Sequence, residues 1–151
     1  MELSLPLAGG CQCGSVRYEI RVEPLTVYAC HCTECQRQST GAFSLSMVVP
    51  RETAAIVVGE PKTWVRRHES GRLIDCLFCG ECGGRLFHNP QHNPRTTIVK
   101  AGTLDHARRL VPVGHIWTAS APGWVRLPEG SVQFENQPPD LTALIEAWKA
   151  H

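Results

Sequence analysis

Seven of the eight cysteines in this 151-residue chain fall into three tight clusters, and this grouping restricts the fold more than any other feature of the sequence. The clusters are Cys11-Gln12-Cys13, Cys30-His31-Cys32-Thr33-Glu34-Cys35 and Cys79-Gly80-Glu81-Cys82, with Cys76 standing apart. Thiols crowded in this way are the ligand sets of metal ions. Tetrahedral zinc takes sulfurs at about 2.3 Å, and a C-x-x-C turn brings two of them to one ion while backbone N–H groups point at the thiolates. Glycines at 80, 83 and 84 make CGECGG a zinc-knuckle sequence.

Metal binding is favoured over disulfides by the expected compartment. The N-terminus MELSLPLAGG has no basic region, and Ser4 and Pro6 interrupt its apolar residues, so the chain is expected to be cytoplasmic, where thiols stay reduced. It has no uninterrupted apolar run of membrane-spanning length. Fifteen Lys and Arg against fourteen Asp and Glu, without a basic run, argue against dedicated nucleic-acid binding.

On an extended backbone residues i and i+2 face the same side, so Cys11 and Cys13 can aim at one ion. Together with Cys79 and Cys82 they complete a closed four-cysteine site of the structural kind. Cys30, Cys32 and Cys35 then form a three-thiolate set with one corner open, the arrangement that catalytic zinc keeps for water or substrate. Three thiolates leave the dication less negative than four, so the open site is the better Lewis acid. A different division, with the middle cluster serving the structural ion, stays open because spacing alone does not fix connectivity.

His31 lies inside the middle cluster, but on a strand its side chain points away from both cysteine neighbours, which makes it a structural residue rather than the fourth ligand. Cys76, at the end of an apolar run, reads as a small buried hydrophobe. A redox reading of Cys79 and Cys82 lacks the βαβ setting it requires.

The length suits one domain, taken as residues 1–151 with a core over about 9–124. Glycine and proline punctuate short β-branched and aromatic runs, the pattern of a mainly β, antiparallel domain. Strands are expected at 15–22, 25–31, 43–49, 54–58, 63–68, 72–78, 96–101 and 131–135, with a helical turn after Thr33. A C-terminal helix is expected over about 140–149, with Asp140 as N-cap and Leu141, Leu144, Ile145 and Trp148 on one face.

The motifs GGCQCGSVRY, CHCTECQRQSTGAF, FCGECGGRLF, AGTLD and PVGHIWTASAPGW, in that order from about Gly9 to Trp124, resemble the glutathione-dependent formaldehyde-activating enzyme family, which also includes centromere protein V. The resemblance implies an Mss-four-like zinc fold of twisted antiparallel sheets. It implies a structural zinc on Cys11, Cys13, Cys79 and Cys82 and a catalytic zinc on Cys30, Cys32 and Cys35, two ions in all. It also implies a carbon–sulfur lyase that adds a small thiol, glutathione, to formaldehyde and gives S-hydroxymethylglutathione.

In that picture the open corner either receives the thiol or polarises the aldehyde oxygen. Arg37, near Ser39 and Thr40, is either a fork for a substrate carboxylate or a solvated charge. His115, Trp117 and Trp124 are either the wall of a substrate cleft, with His115 carrying a proton, or core residues. The competing reading is a zinc-stabilised binding module without catalysis, since fold alone does not fix function.

Overall fold

The computed structural model describes residues 3–151. Its strands are β1 (Leu7–Gly10), β2 (Arg17–Ile20), β3 (Thr26–Cys30), β4 (Ser44–Pro50), β5 (Ala54–Val58), β6 (Lys62–Arg67), β7 (Leu73–Phe78), β8 (Arg85–Pro90), β9 (Thr96–Lys100), β10 (Gly114–Ile116) and β11 (Val132–Phe134). Two helices accompany them, α1 (Thr33–Ser39) and α2 (Thr142–Lys149). Among the described residues no helix is long and apolar enough to cross a membrane.

The strands form a three-stranded sheet, β1-β2-β5, and an eight-stranded sheet, β11-β10-β3-β4-β9-β8-β7-β6. Tyr18 and Ile20 of the small sheet pack on Val27, Met47, Val49, Phe87 and Val99 of the large one, so the main core lies between the sheets. The Tyr18 and Phe87 rings meet edge to face with centroids 4.8 Å apart.

The opposite face of the large sheet carries a second core, where Tyr28, Cys30, Val48 and Ile116 meet Cys35 of α1 and Leu144 of α2. β3 is therefore covered on both faces, and this is why TVYAC is buried along its whole length without polar alternation.

The eight expected strands all form, with ends that move by no more than two residues, as does the helical turn after Thr33. Three strands escaped the sequence reading. β1 and β10 are short and contain glycine, and β8 follows an irregular register between Leu77 and Phe78 that puts Leu86 and Phe87 into the same core.

The antiparallel expectation holds except at one edge, where β10 pairs parallel to both β3 and β11. Helix α2 starts at Thr142 with Leu141 in the cap position. Asp140 lies one residue earlier than a true N-cap and accepts a hydrogen bond from the Thr142 N–H at 2.8 Å.

Gly114 of β10 is fixed by packing rather than by backbone shape. A Cβ there would fall into Leu144 Cδ2 and stand 2.9 Å from the Val132 carbonyl oxygen, so only glycine lets α2 close over the β10–β3 edge.

Candidate metal centres

Cys11 and Cys13 sit in the loop joining β1 to β2, and Cys79 and Cys82 in the loop joining β7 to β8; packing of the two sheets brings the loops together. The C-x-C pair was expected on extended backbone, but it occupies a turn. The Gly14 N–H closes on the Cys11 carbonyl at 3.2 Å and the Cys11 N–H on the Val16 carbonyl at 3.0 Å, and curvature rather than strand alternation aims both thiols inward. The knuckle closes in the same manner, by Gly83 N–H to Cys79 carbonyl (2.8 Å) and Cys79 N–H to Gly84 carbonyl (2.9 Å), with Gly83 at φ +77° where a side chain would be strained.

The four sulfurs lie within 4.8 Å of one another. Corners of a tetrahedron with a metal–sulfur distance of about 2.3 Å are about 3.8 Å apart. The separations of 3.6 Å for Cys11–Cys13 and 3.7 Å for Cys13–Cys79 fit that geometry.

Backbone N–H groups already serve the thiols. Val16 donates to Cys11 Sγ at 3.2 Å and Glu81 to Cys79 Sγ at 3.4 Å. Backbone hydrogen bonds from Gly84 and then Cys13 lower Cys82 to about 6. Burial pushes Cys11 up, but the Val16 N–H and the Cys79 and Cys13 thiols outweigh it and leave it below an ordinary thiol.

The second group forms where β3 ends and α1 begins. Cys30 is the last residue of β3, Cys32 is the N-cap of α1, and Cys35 lies in its first turn, with the Cys35 N–H donating to Cys32 Sγ at 3.3 Å. Their sulfurs also lie within 4.8 Å of one another. Cys30 and Cys35 are buried and Cys32 is half-buried. Hydrogen bonds from Cys30 and then Cys35 drive Cys32 far below an ordinary thiol, and the same bond drives Cys30 far above, so the first negative charge of the cluster rests on Cys32.

Both donor sets therefore suit a soft or borderline cation such as zinc: one has four thiols in tetrahedral spacing, the other three. Each group could hold a metal ion, and neither includes His31 or Cys76. His31 is fully buried and turns to His115, Nε2 to Nδ1 at 3.0 Å, while Cys76 is fully buried in β7.

Gln36, which the sequence did not single out, locks the corner. Its Nε2 donates to the His31 carbonyl at 2.8 Å and to the Ser120 carbonyl at 2.9 Å, tying α1 to the Cys30–Cys32 bend and to the segment after β10. No local pattern in CQRQS distinguishes Gln36 from Gln38, because its partners are backbone atoms brought in by the fold.

The other expected site residues are spread around this group. Arg37 is exposed, ion-pairs with Glu34 at 3.2 Å, and lines a shallow groove with Thr40 and Trp124. Ser39 donates to the Cys35 carbonyl at 2.8 Å. His115 is buried against His31, and burial lowers its pKa, which favours the neutral ring. The Trp117 indole N–H reaches Gln137 Oε1 at 3.1 Å.

A second cavity, of about 360 Å³, opens along the C-terminal half of α1 and is lined by Gln38, Ser39, Phe43, Ser44, Arg85 and Lys100 among others. Ser44 is the strand partner of Cys30, so this cavity adjoins the three-thiol group. Lys100 is 7 % exposed and donates to Ser44 Oγ at 3.2 Å. Burial pulls its pKa down, opposed by the charges of Cys35 and Cys30. A lone lysine closing the run TTIVK carries no sequence signal for such a place.

A crystal structure of a Rhodobacter sphaeroides protein shares this fold, with a TM-score of 0.53 and 19 % identity over 85 % of this chain and 99 % of that one. A Penicillium rubens protein named "Putative glutathione-dependent formaldehyde-activating enzyme" is 28 % identical over 122 residues, 78 % of this chain. Those residues span 56 % of the fungal protein, so the chain covers little more than half of that relative's length. The family model described as glutathione-dependent formaldehyde-activating enzyme matches residues 6–120, which takes in all three cysteine clusters and His115. With that match over most of its length, the chain belongs to the glutathione-dependent formaldehyde-activating enzyme family.

Proposed function

We propose that the chain is a zinc-dependent carbon–sulfur lyase acting on a small thiol–aldehyde adduct, with glutathione and formaldehyde giving S-hydroxymethylglutathione as the reference reaction. The observation that carries this reading is the unequal pair of thiol groups: four sulfurs in one, and three beside a cavity in the other.

Cys11, Cys13, Cys79 and Cys82 would hold a structural zinc, joining the β1–β2 loop to the β7–β8 loop. Cys30, Cys32 and Cys35 would hold the catalytic zinc. When bound there, the ion lowers the pKa of a coordinated thiol or polarises a carbonyl oxygen.

The chain's own residues do the remaining work. The thiols place the reacting centre next to Ser44 and Ser39, which border the cavity, and Gln36 keeps the Cys30–Cys32 bend in place. In the forward reaction the substrate sulfur forms a bond to the aldehyde carbon, the thiol proton ends on the former carbonyl oxygen, and no electrons are exchanged with a third party. Arg37 faces the separate groove with Thr40 and Trp124 rather than the cavity, and His115 is a positioning residue acting through His31 rather than a group touching substrate.

Zinc analysis tests the division of ligands. Two zinc ions per chain are expected, falling to one in Cys32→Ser with circular dichroism unchanged; a single zinc in both proteins refutes the split. Following S-hydroxymethylglutathione by NMR tests the activity. Formation no faster than in protein-free solution would leave a zinc-stabilised binding module as the better reading.

A further inference from the structure

We infer that the cavity beside α1 is an anion subsite that takes a carboxylate of the substrate thiol, with Lys100, Arg85 and Gln38 as its binding groups. This rests on the lyase reading and deepens it by specifying an acidic rather than a neutral thiol.

The first observation is unmatched charge. Lys100 lies at 7 % exposure, and its hydrogen bond is to a neutral hydroxyl, Ser44 Oγ. The ion pairs among the described residues are Arg17–Asp105 and Arg37–Glu34, so no carboxylate of the described residues pairs with Lys100 or Arg85. No Asp or Glu lines the cavity. Buried cations without a partner are costly, and sites of this kind are built for an anion that arrives from outside. The groups that act on Lys100 electrostatically are thiols, Cys35 first, and the proposed reaction commits the three-thiol set to an ion.

The second observation is a set of idle hydrogen-bonding atoms at the same place. Arg85 Nη1 and both amide atoms of Gln38 are buried without any hydrogen bond within the described chain. Arg85 is held by the Trp64 and Phe78 rings, 5.5 and 5.6 Å from its Cζ, which fixes its guanidinium before any ligand binds. Guanidinium, ammonium and amide N–H groups converging on one cavity are the donor set for a carboxylate.

The third observation is position. The cavity lies between Ser44, paired with Cys30, and Ser39, bonded to the Cys35 carbonyl, so a ligand held there sits beside the elements that carry two of the three thiols. Its volume, about 360 Å³, suits the acidic end of a small peptide thiol.

Titration calorimetry on the zinc-loaded protein tests this, with glutathione, glutathione diethyl ester and S-methylglutathione as probes. Glutathione is expected to bind at least about tenfold tighter than its ester, as loss of a charge-assisted contact implies. Arg85→Gln, Gln38→Ala and Lys100→Met should each shrink that ratio while zinc content and circular dichroism stay unchanged. Arg85 and Gln38 are only half-buried, so their variants keep the test open if Lys100→Met fails to fold.

Equal binding of acid and ester, or a ratio unchanged in the Arg85 and Gln38 variants, overturns the subsite. S-methylglutathione separates the two claims. Carboxylate-dependent binding of this blocked thiol, in a protein that does not speed adduct formation, would keep the subsite and sink the lyase; adduct formation without carboxylate dependence would do the reverse.

Discussion

Gly114→Ala offers a stringent test of how the fold supports the three-thiol corner. The new Cβ would fall into Leu144 Cδ2 and stand 2.9 Å from the Val132 carbonyl oxygen and 3.2 Å from Val132 Cβ. Carbon atoms pack best at about 3.5–4.0 Å. Leu144 is fully buried, and α2 is tethered there by the Thr26 hydroxyl donating to the Leu144 carbonyl at 2.9 Å, so the leucine cannot swing into solvent. Overpacking of this type costs about 1–3 kcal/mol, partly offset by the smaller backbone entropy of alanine in the unfolded chain.

Leu144→Ala alone should cost about 2–5 kcal/mol through the cavity it leaves. The double variant is the informative one: with Leu144 truncated, the new methyl group has space, so the pair should cost no more than Leu144→Ala alone. The coupling in the cycle should then be about 1–3 kcal/mol in the favourable direction. Urea unfolding with zinc in excess measures it; with a slope of about 2 kcal/mol/M, Gly114→Ala should lower the midpoint by about 1 M. Strict additivity, or an unchanged midpoint in Gly114→Ala, would refute the claim that glycine is required by the approach of α2.

Two further outcomes are expected. Burial raises the hydroxyls of the chain's two tyrosines, Tyr18 and Tyr28, above the ordinary value near 10, so their contribution to stability is intact below that pH. Above it the unfolded chain loses protons that the fold retains, and each tyrosine should remove about 1.4 kcal/mol per pH unit; absorbance at 295 nm should rise only with unfolding, and Tyr18→Phe should halve the slope. Gln36→Leu breaks both backbone contacts that hold the Cys30–Cys32 bend and should weaken zinc at that group by about 10–100-fold, leaving the four-thiol group unchanged. Chelator competition reads both sites, and equal weakening of the two would contradict a local role.

Much of the molecule was legible because its information is local. Strands such as β2, with Tyr18 and Ile20 buried and Arg17 and Glu19 between them, announce themselves by alternation. The ligand groups were legible for a related reason: three of the four contacts that define them, C-x-C, C-x-x-C and C-x-C-x-x-C, join residues two to five apart. β1, β8 and β10 were not legible, since a glycine-rich edge, a bulge and a three-residue strand lack a period to read.

The sequence by itself determined that clustered cysteines would form groups able to hold a metal, that short alternating runs would make a β fold, and that the C-terminal apolar stripe would make a packing helix. Only the tertiary structure decided that CQC and CGEC share one centre, since 66 residues separate Cys13 from Cys79 and two sheets must pack to bring them to 3.7 Å. It likewise gave His31, already expected to point away from the thiols, its partner His115, clipped the thiol corner with Gln36, and set Lys100 and Arg85 around a cavity beside Ser44. Those placements depend on strand order and register between distant segments, which no short stretch of residues encodes on its own.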